Sequence, residues 1–249
     1  MATDSAEETQ PYEVTAEFYD ILQENEVRRR AKDCFAPAAR RARIGILDVG
    51  AGTGVVTDVL LEHSAVPVHA VEPARAMRAV LLSRLASAPA GDRARATVHP
   101  FILSECALTN VADLVVCSNV VGCLDPAERR ATWRAMVEAL TPGGLAIVDP
   151  PPRRLPLHAE NRELPKIRLG RDVYSASVCS EPEGEVIRST FTYRVERGGV
   201  IVRTKGESFL LWPASREEIA AEFMDAGLMP ISSPPSTPAL MYGRRMSGR

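Results

Sequence analysis

Three glycines, Gly50, Gly52 and Gly54, alternate with Ala51 and Thr53 in the stretch "LDVGAGTGVVT", residues 47–57. Such a run makes a tight turn, and it can also leave backbone bare enough for a ligand to lie directly against it. Asp48 stands two positions before the first of these glycines, and Glu72 followed by Pro73 closes the next apolar run, "VPVHAVEP". A dinucleotide-binding turn has the spacing GxGxxG, the third glycine allowing a helix to pack closely on its strand. Gly50 and Gly52 fit that pattern, but Val55 stands where the third glycine belongs, and the spacing is GxGxG instead. An acid at position 48 suits a ligand with an ammonium group better than one with a phosphate. An acid at position 72 suits ribose hydroxyls in either class of nucleotide. These residue types point to recognition of a nucleoside.

The residues have to be carried by an alternation of strands and helices. "ARIGILDVG" predicts a buried strand, "GVVTDVLLEHS" a helix, "VPVHAVEP" a second strand and "ARAMRAVLLSRLAS" a second helix. "ATVHPFI" and "ADLVVCSN" read as the third and fourth strands. Asp125 is placed to cap a helix with Pro126 in its first turn and Trp133, Met136, Val137 and Leu140 on its apolar face. Gly143 and Gly144 are expected to end it before a fifth strand, "LAIVDP". Strands alternating with helices imply a parallel sheet covered on both faces, with ligands at the carboxyl ends of the strands. One rim then collects Asp48 to Gly54, Glu72, Phe101 to Glu105, Ser118 to Cys123, and Asp149.

Flanking segments have a different texture. Residues 1–10 are polar and are expected to be disordered, and a helix with Val14, Phe18, Ile21 and Leu22 on one face is expected from Tyr12 to Phe35. The run Arg28, Arg29, Arg30 reads as a solvated helix end. After "DPPPRR", residues 151–170 are rich in Pro and Arg and read as loop. "DVYSASVCS", "EVIRSTFTYRVE" and "GVIVRTKGESFLLW" then alternate like antiparallel strands, with a hairpin turn at "RGG". Ser215 followed by Glu218 forms a capping box for a last helix, and "MPISS" and "ALMYGRRM" are candidate last strands. The expected fold class is α/β, a doubly wound Rossmann-like sheet with an antiparallel β insertion after strand 5 and an N-terminal helical segment. Its expected divisions are 1–40, a helical cap; 41–150, the ligand-binding core; 151–214, an inserted lid; and 215–249, a return to the core.

"DVGAGTG" resembles the first signature of class I S-adenosylmethionine-dependent methyltransferases. "ADLVVCSNVVGCL" followed by "EALTPGGLAIVDP" is similar to that family's fourth strand, substrate-side loop, helix and fifth strand. The likeness covers roughly residues 40–150 and implies S-adenosylmethionine as cofactor, with Glu72 on the ribose hydroxyls. "TAEFYDIL" looks like the opening helix of small-molecule methyltransferases that alkylate amines, including amino-sugar and, more distantly, glycine N-methyltransferases. Tyr19 falls on their matching tyrosine, which implies a place beside the donor's methionine part. The family commonly has an acid after the third strand near the adenine. Here the position reads Phe101–Ile102, so either Glu105 reaches back, or Ser104 and backbone groups read the adenine with Phe101 on its face. Ser118 and Asn119 either touch the donor or only shape the strand end.

The candidate set follows. Tyr19, Asp48, Gly50, Ala51, Gly52, Gly54, Glu72, Pro73, Phe101, Ile102, Ser104, Glu105, Ser118 and Asn119 are expected to bind the cofactor. Tyr12, Cys123, Arg153, Arg154 and Tyr174 are expected to face the acceptor. Asp149 and His158 are the candidate bases. An amine acceptor needs only its lone pair, whereas a hydroxyl needs a base. The rim has no obvious loop histidine, which favours nitrogen over oxygen. His63, His69, His99 and His158 show no ligand spacing, so no metal is expected. The readings carried forward are a small-molecule N-methyltransferase of secondary metabolism, an O- or C-methyltransferase of a natural product, a nicotinamide-dependent oxidoreductase, and a nucleoside-binding module without catalysis. Val55 argues against the oxidoreductase, and the insertion argues against the bare module.

Composition sets the outer limits. A formal charge of −2 gives no basic field for nucleic acid, and no apolar stretch approaches the ~20 residues of a membrane span. The N-terminus lacks a signal peptide's basic start and apolar core, and five cysteines without a CxxC pair suit a reducing compartment, so a cytoplasmic protein is expected. "SNVVGC" lacks the Asn/Asp-Pro-Pro-aromatic motif of nucleic-acid methyltransferases. The partner is a small-molecule acceptor, and exposed apolar strands in the insertion suggest a homodimer.

Overall fold

Alternation of apolar side chains along short strands decides how this chain layers. In the computed structural model, which describes residues 11–231 and 239–245, strand β1 (Ile46–Val49) sends Leu47 and Val49 to one face of a sheet and Ile46 to the other. Successive residues of a strand point to opposite faces, so Asp48 falls on the same side as Ile46. The other core strands are β2 (Val68–Val71), β3 (Ala96–His99), β4 (Ala112–Cys117) and β5 (Leu140–Val148). Between them run helices α3 (Val55–Glu62), α4 (Arg75–Ser87), the short α5 (Ala90–Arg93) and α6 (Pro126–Ala139). They follow the N-terminal helix α1 (Thr15–Cys34) and the single turn α2 (Ala36–Ala39). The chain closes with α7 (Arg216–Asp225), β11 (Leu228–Pro230) and β12 (Leu240–Arg244).

These strands make one seven-stranded sheet in the order β3-β2-β1-β4-β5-β12-β11. β1 to β5 pair in parallel, and β12 lies antiparallel to both β5 and β11. One face packs on α6 and α7 through Trp133, Met136 and Phe223; the other packs on α3 and α4 through Val59, Leu60 and Leu81. From β1 the chain runs outward through β2 to β3, then returns to β4 on the other side of β1. The crevice outside the carboxyl ends of β1 and β4 is therefore the topological switch point, where sheets of this kind bind ligands.

A second, antiparallel sheet grows from the segment after β5. Its long strands are β8 (Asp172–Glu183), β9 (Val186–Arg197) and β10 (Val200–Leu211), with β10 on the outer edge. Helix α1 lies against it: Phe18 and Leu22 pack with Leu164, Ala176, Val178, Tyr193 and Val195, and the Phe18 and Tyr193 rings stack at 4.6 Å. Full burial of such aromatic side chains stabilises by roughly 1.5–3 kcal/mol each. The first turn of α1 is held from the same sheet, since the Thr15 N–H donates to the Glu207 carboxylate at 2.7 Å and Arg203 pairs with Glu17. Helix α1 thereby bridges the two sheets.

Three sequence expectations change. Residues 160–163 and 167–169, read as loop, form strands β6 (Glu160–Glu163) and β7 (Ile167–Leu169), both paired with β8, because β8 offers a free ladder edge there. Helix α6 stops at Ala139 rather than at the glycines; Leu140 turns to extended backbone, and Thr141 to Gly144 open the irregular start of β5. The triple arginine is not a solvated helix end, as the ion pairs described below show. Both capping boxes, Asp125 with Glu128 and Ser215 with Glu218, are present, and the β9–β10 hairpin turns at Gly198–Gly199. The N-terminal ten residues and the ends of the two last candidate strands lie outside the described residues.

Candidate active site

The three glycines have three different neighbours. A Cβ on Gly50 would strike Val120 Cγ2 at 2.1 Å, and one on Gly54 would meet Leu81 of α4 at 2.5 Å. Those two positions are closed by the protein itself. Gly52, at φ +57°, would meet nothing within 4 Å. The bare backbone therefore faces open space at Gly52, while its flanking glycines let β4's exit loop and α4 approach.

Glu72 is tied to this turn. Its residue is only 6% exposed, and its carboxylate accepts the Gly52 N–H and the Ala74 N–H, each at 2.7 Å. Burial pushes its carboxyl above the ordinary range, and the two N–H donors pull the other way. Each oxygen keeps a second lone pair, so the group can still accept a pair of hydroxyls. Pro73 is exposed beside it. Across the rim, Phe101 (53% exposed) and Ile102, with Ser104 and Glu105 in the next turn, form an exposed edge. This edge, the open face of Gly52 and the Glu72 carboxylate together fit a flat base on a ribose.

Asp48 does not lie on the open rim. It is 1% exposed, on the α3 side of β1, and its carboxylate accepts from the Thr57 hydroxyl at 2.6 Å. Burial raises its carboxyl to about 7. The expected direct meeting with a ligand's ammonium group gives way to a bond that holds the first turn of α3.

Asp149 also departs from expectation. It is 2% exposed, and it accepts from Arg30 Nη2 at 2.7 Å and from Ser118 Oγ at 2.8 Å. Buried, and bonded by Arg30 on one oxygen and by Ser118 on the other, this carboxylate holds Ser118 in place. Arg30, taken for a solvated residue, is its counter-ion. Arg28 likewise pairs with Glu24 and Asp58, and of the three only Arg29, with Glu26 and Asp33, is on an exposed surface. Sequence reasoning missed the Arg30–Asp149 pair because its members are separated by 119 positions.

Above the rim, Tyr19 of α1 lies beside Asn119, an exposed residue at φ +58°, and burial pushes the Tyr19 phenol up to about 12. Tyr12 stacks on Phe209 of β10 at 4.7 Å and donates toward Cys123 Sγ at 3.7 Å. Burial, with Cys123 and Glu72 nearby, pushes the Tyr12 phenol well up, and burial also raises the Cys123 thiol. The structure brings Tyr12, Tyr19, Asn119 and Cys123 together over the crevice. The other expected residues stand apart. Arg153, Arg154 and His158 are exposed between β5 and β6, and His158 makes no hydrogen bond or ion pair among the described residues. Tyr174 packs beside Phe18, at 6.1 Å between rings, rather than toward an open acceptor. His69 and His99, on adjacent strands, meet at 3.2 Å.

A family model described as a methyltransferase domain matches residues 47–146. No curated protein matches the chain. Among solved structures, the chain is similar to CalS10 of Micromonospora echinaspora, an amino pentose methyltransferase of calicheamicin biosynthesis solved with S-adenosylmethionine, at 25% identity, 89% of each chain and a TM-score of 0.66. It is similar to DesVI of Streptomyces venezuelae at 22% identity, over 93% of this chain and 98% of that one, with a TM-score of 0.73. The sugar N-methyltransferase KedS8 of Streptoalloteichus matches at 24% identity, over 94% of this chain and 93% of that one, with a TM-score of 0.67. No helix among the described residues is long and apolar enough to cross a membrane.

Proposed function

We propose, from the premise that the chain is an S-adenosylmethionine-dependent methyltransferase of the class I superfamily, that it methylates the nitrogen of a small secondary metabolite, an amino sugar or comparable aliphatic amine. S-adenosylmethionine supplies the methyl already activated on a sulfonium. The chain's own residues then have to bind, align and exclude water, and good alignment can contribute ~7–11 kcal/mol to lowering such a barrier. Gly52 and Glu72 hold the nucleoside, with the Phe101 to Glu105 edge at the base. Tyr12, Tyr19, Asn119 and Cys123 cover the transfer point.

One observation carries the choice of nitrogen. Asp149 is buried beneath the rim in bonds with Arg30 and Ser118, and burial keeps the Tyr12, Tyr19 and Cys123 hydrogens in place. A site furnished this way suits a nucleophile that arrives with its lone pair free. Residues 151–214 form the acceptor lid in this reading, with Arg153 and Arg154 closing from the exposed segment. The protein works as a homodimer in the cytoplasm, joined along β10.

The test uses labelled donor with paired amine and hydroxyl acceptors, and locates the methyl by mass spectrometry and NMR. The rate should rise with pH along a limb that follows the amine's own pKa, and Asp149→Asn should lower the rate while leaving that limb in place. Methyl found only on oxygen or carbon of the true acceptor overturns the nitrogen assignment.

A further inference from the structure

Arg84, on α4, is not part of the rim, yet it ties the glycine turn to helix α1. Its Nε donates to the Thr53 carbonyl at 3.1 Å, its Nη2 to Asp20 at 2.7 Å, and its Nη1 to Glu24 at 3.0 Å. Asp20 in turn accepts the Thr53 hydroxyl at 2.5 Å. The side chain is 17% exposed, and its Cδ passes 3.4 Å from where a Cβ on Gly54 would stand. Gly54 lacks a side chain at the point where Arg84 crosses to the turn.

The contacts form a chain of cause. The guanidinium fixes the Thr53 carbonyl, and Thr53 is the residue after Gly52, whose N–H braces the Glu72 carboxylate. The same guanidinium holds Asp20, the residue after Tyr19 on α1. One side chain thus sets the turn, the ribose acid braced by the turn, and the helix that covers both. Lysine could not replace it, because only the planar guanidinium directs several donors at once along fixed lines.

We infer that Arg84 is a positioning residue for the donor site, clasping α1 to the glycine turn so that Glu72 and Tyr19 are held where the donor needs them. The inference rests on the cofactor reading above. A plain structural staple would act differently, and Arg28 provides the comparison: it bonds to Glu24 and Asp58 in the same network without contacting the turn in the described hydrogen bonds.

Calorimetry and stopped-flow dissociation with S-adenosylhomocysteine test the clasp, alongside melting temperatures. Wild type should bind. Arg84→Met should weaken binding about tenfold, the scale of one lost charge-assisted bond, with a faster off-rate. Arg28→Met should stay within about twofold at a comparable loss of melting temperature. If Arg84→Met does not fold, Thr53→Val, which keeps the shape and removes the hydroxyl to Asp20, should still weaken binding severalfold. Affinity in the Arg84 and Thr53 variants within about twofold of wild type, or an equal loss in Arg28→Met, overturns the clasp. Failure of the wild type to bind overturns the cofactor reading and the clasp with it.

Discussion

Asp48 and Gly52, four positions apart in the chain, sit in opposite physical circumstances. Gly52 faces open space, so Gly52→Val puts a side chain into the space proposed for the donor and also strains a left-handed backbone position. Asp48 is sealed under α3, where burial outweighs its bond from Thr57 and raises its carboxyl from 3.8 to about 7. The folded protein therefore holds a proton between those values that the unfolded chain releases. Its burial penalty is present in full above about pH 7 and fades as the pH falls toward about 4. Asp48→Asn keeps an acceptor for Thr57 and removes the charge. Urea midpoints should show this variant more stable than wild type at pH 8, with the advantage shrinking at pH 5. An advantage that grew as the pH fell would mean that a cation, not burial, governs the group.

At the scale of elements, α1 and the β6–β10 sheet depend on each other. Leu164, in the tie between β6 and β7, is buried against the Phe18 cluster although its surroundings read as loop. Leu164→Ala should cost ~2–5 kcal/mol by leaving a cavity there. Residues 153–159 contain no strand. Replacing them with a Gly/Ser linker should leave S-adenosylhomocysteine binding intact and remove turnover if, as proposed, this segment closes on the acceptor. Turnover retained with the native acceptor would contradict the lid, and calorimetry on the same variant separates that result from a damaged donor site.

For the whole molecule, the outer edge of the second sheet is where assembly would occur. β10 pairs only with β9 among the described residues, and Val200, Ile201 and Val202 are each more than half exposed. An apolar strand edge of this kind is a ready template for another chain. Size-exclusion chromatography with light scattering should give a dimer, and Val202→Lys should shift it toward monomer. A strict monomer for the wild type would remove the dimer from the reading.

Local pattern was enough for much of this protein. The glycine spacing, the strand–helix alternation, both capping boxes and the three long insertion strands are legible because each depends on neighbours a few positions away, through turn geometry or the periods of strands and helices. The rim as a set is legible too, since parallel strands bring their carboxyl ends to one edge. Which face each side chain takes, and what it meets there, belonged to the tertiary structure. Asp48 goes under α3 by strand parity, Asp149 finds Arg30 across 119 positions, and Arg84 reaches Thr53, Asp20 and Glu24 from another helix. Charge pairing between distant segments leaves no periodicity in a sequence, so Asp48 and Asp149, read as rim chemistry, are held in structural bonds, and Arg30, read as solvated, is the counter-ion of Asp149.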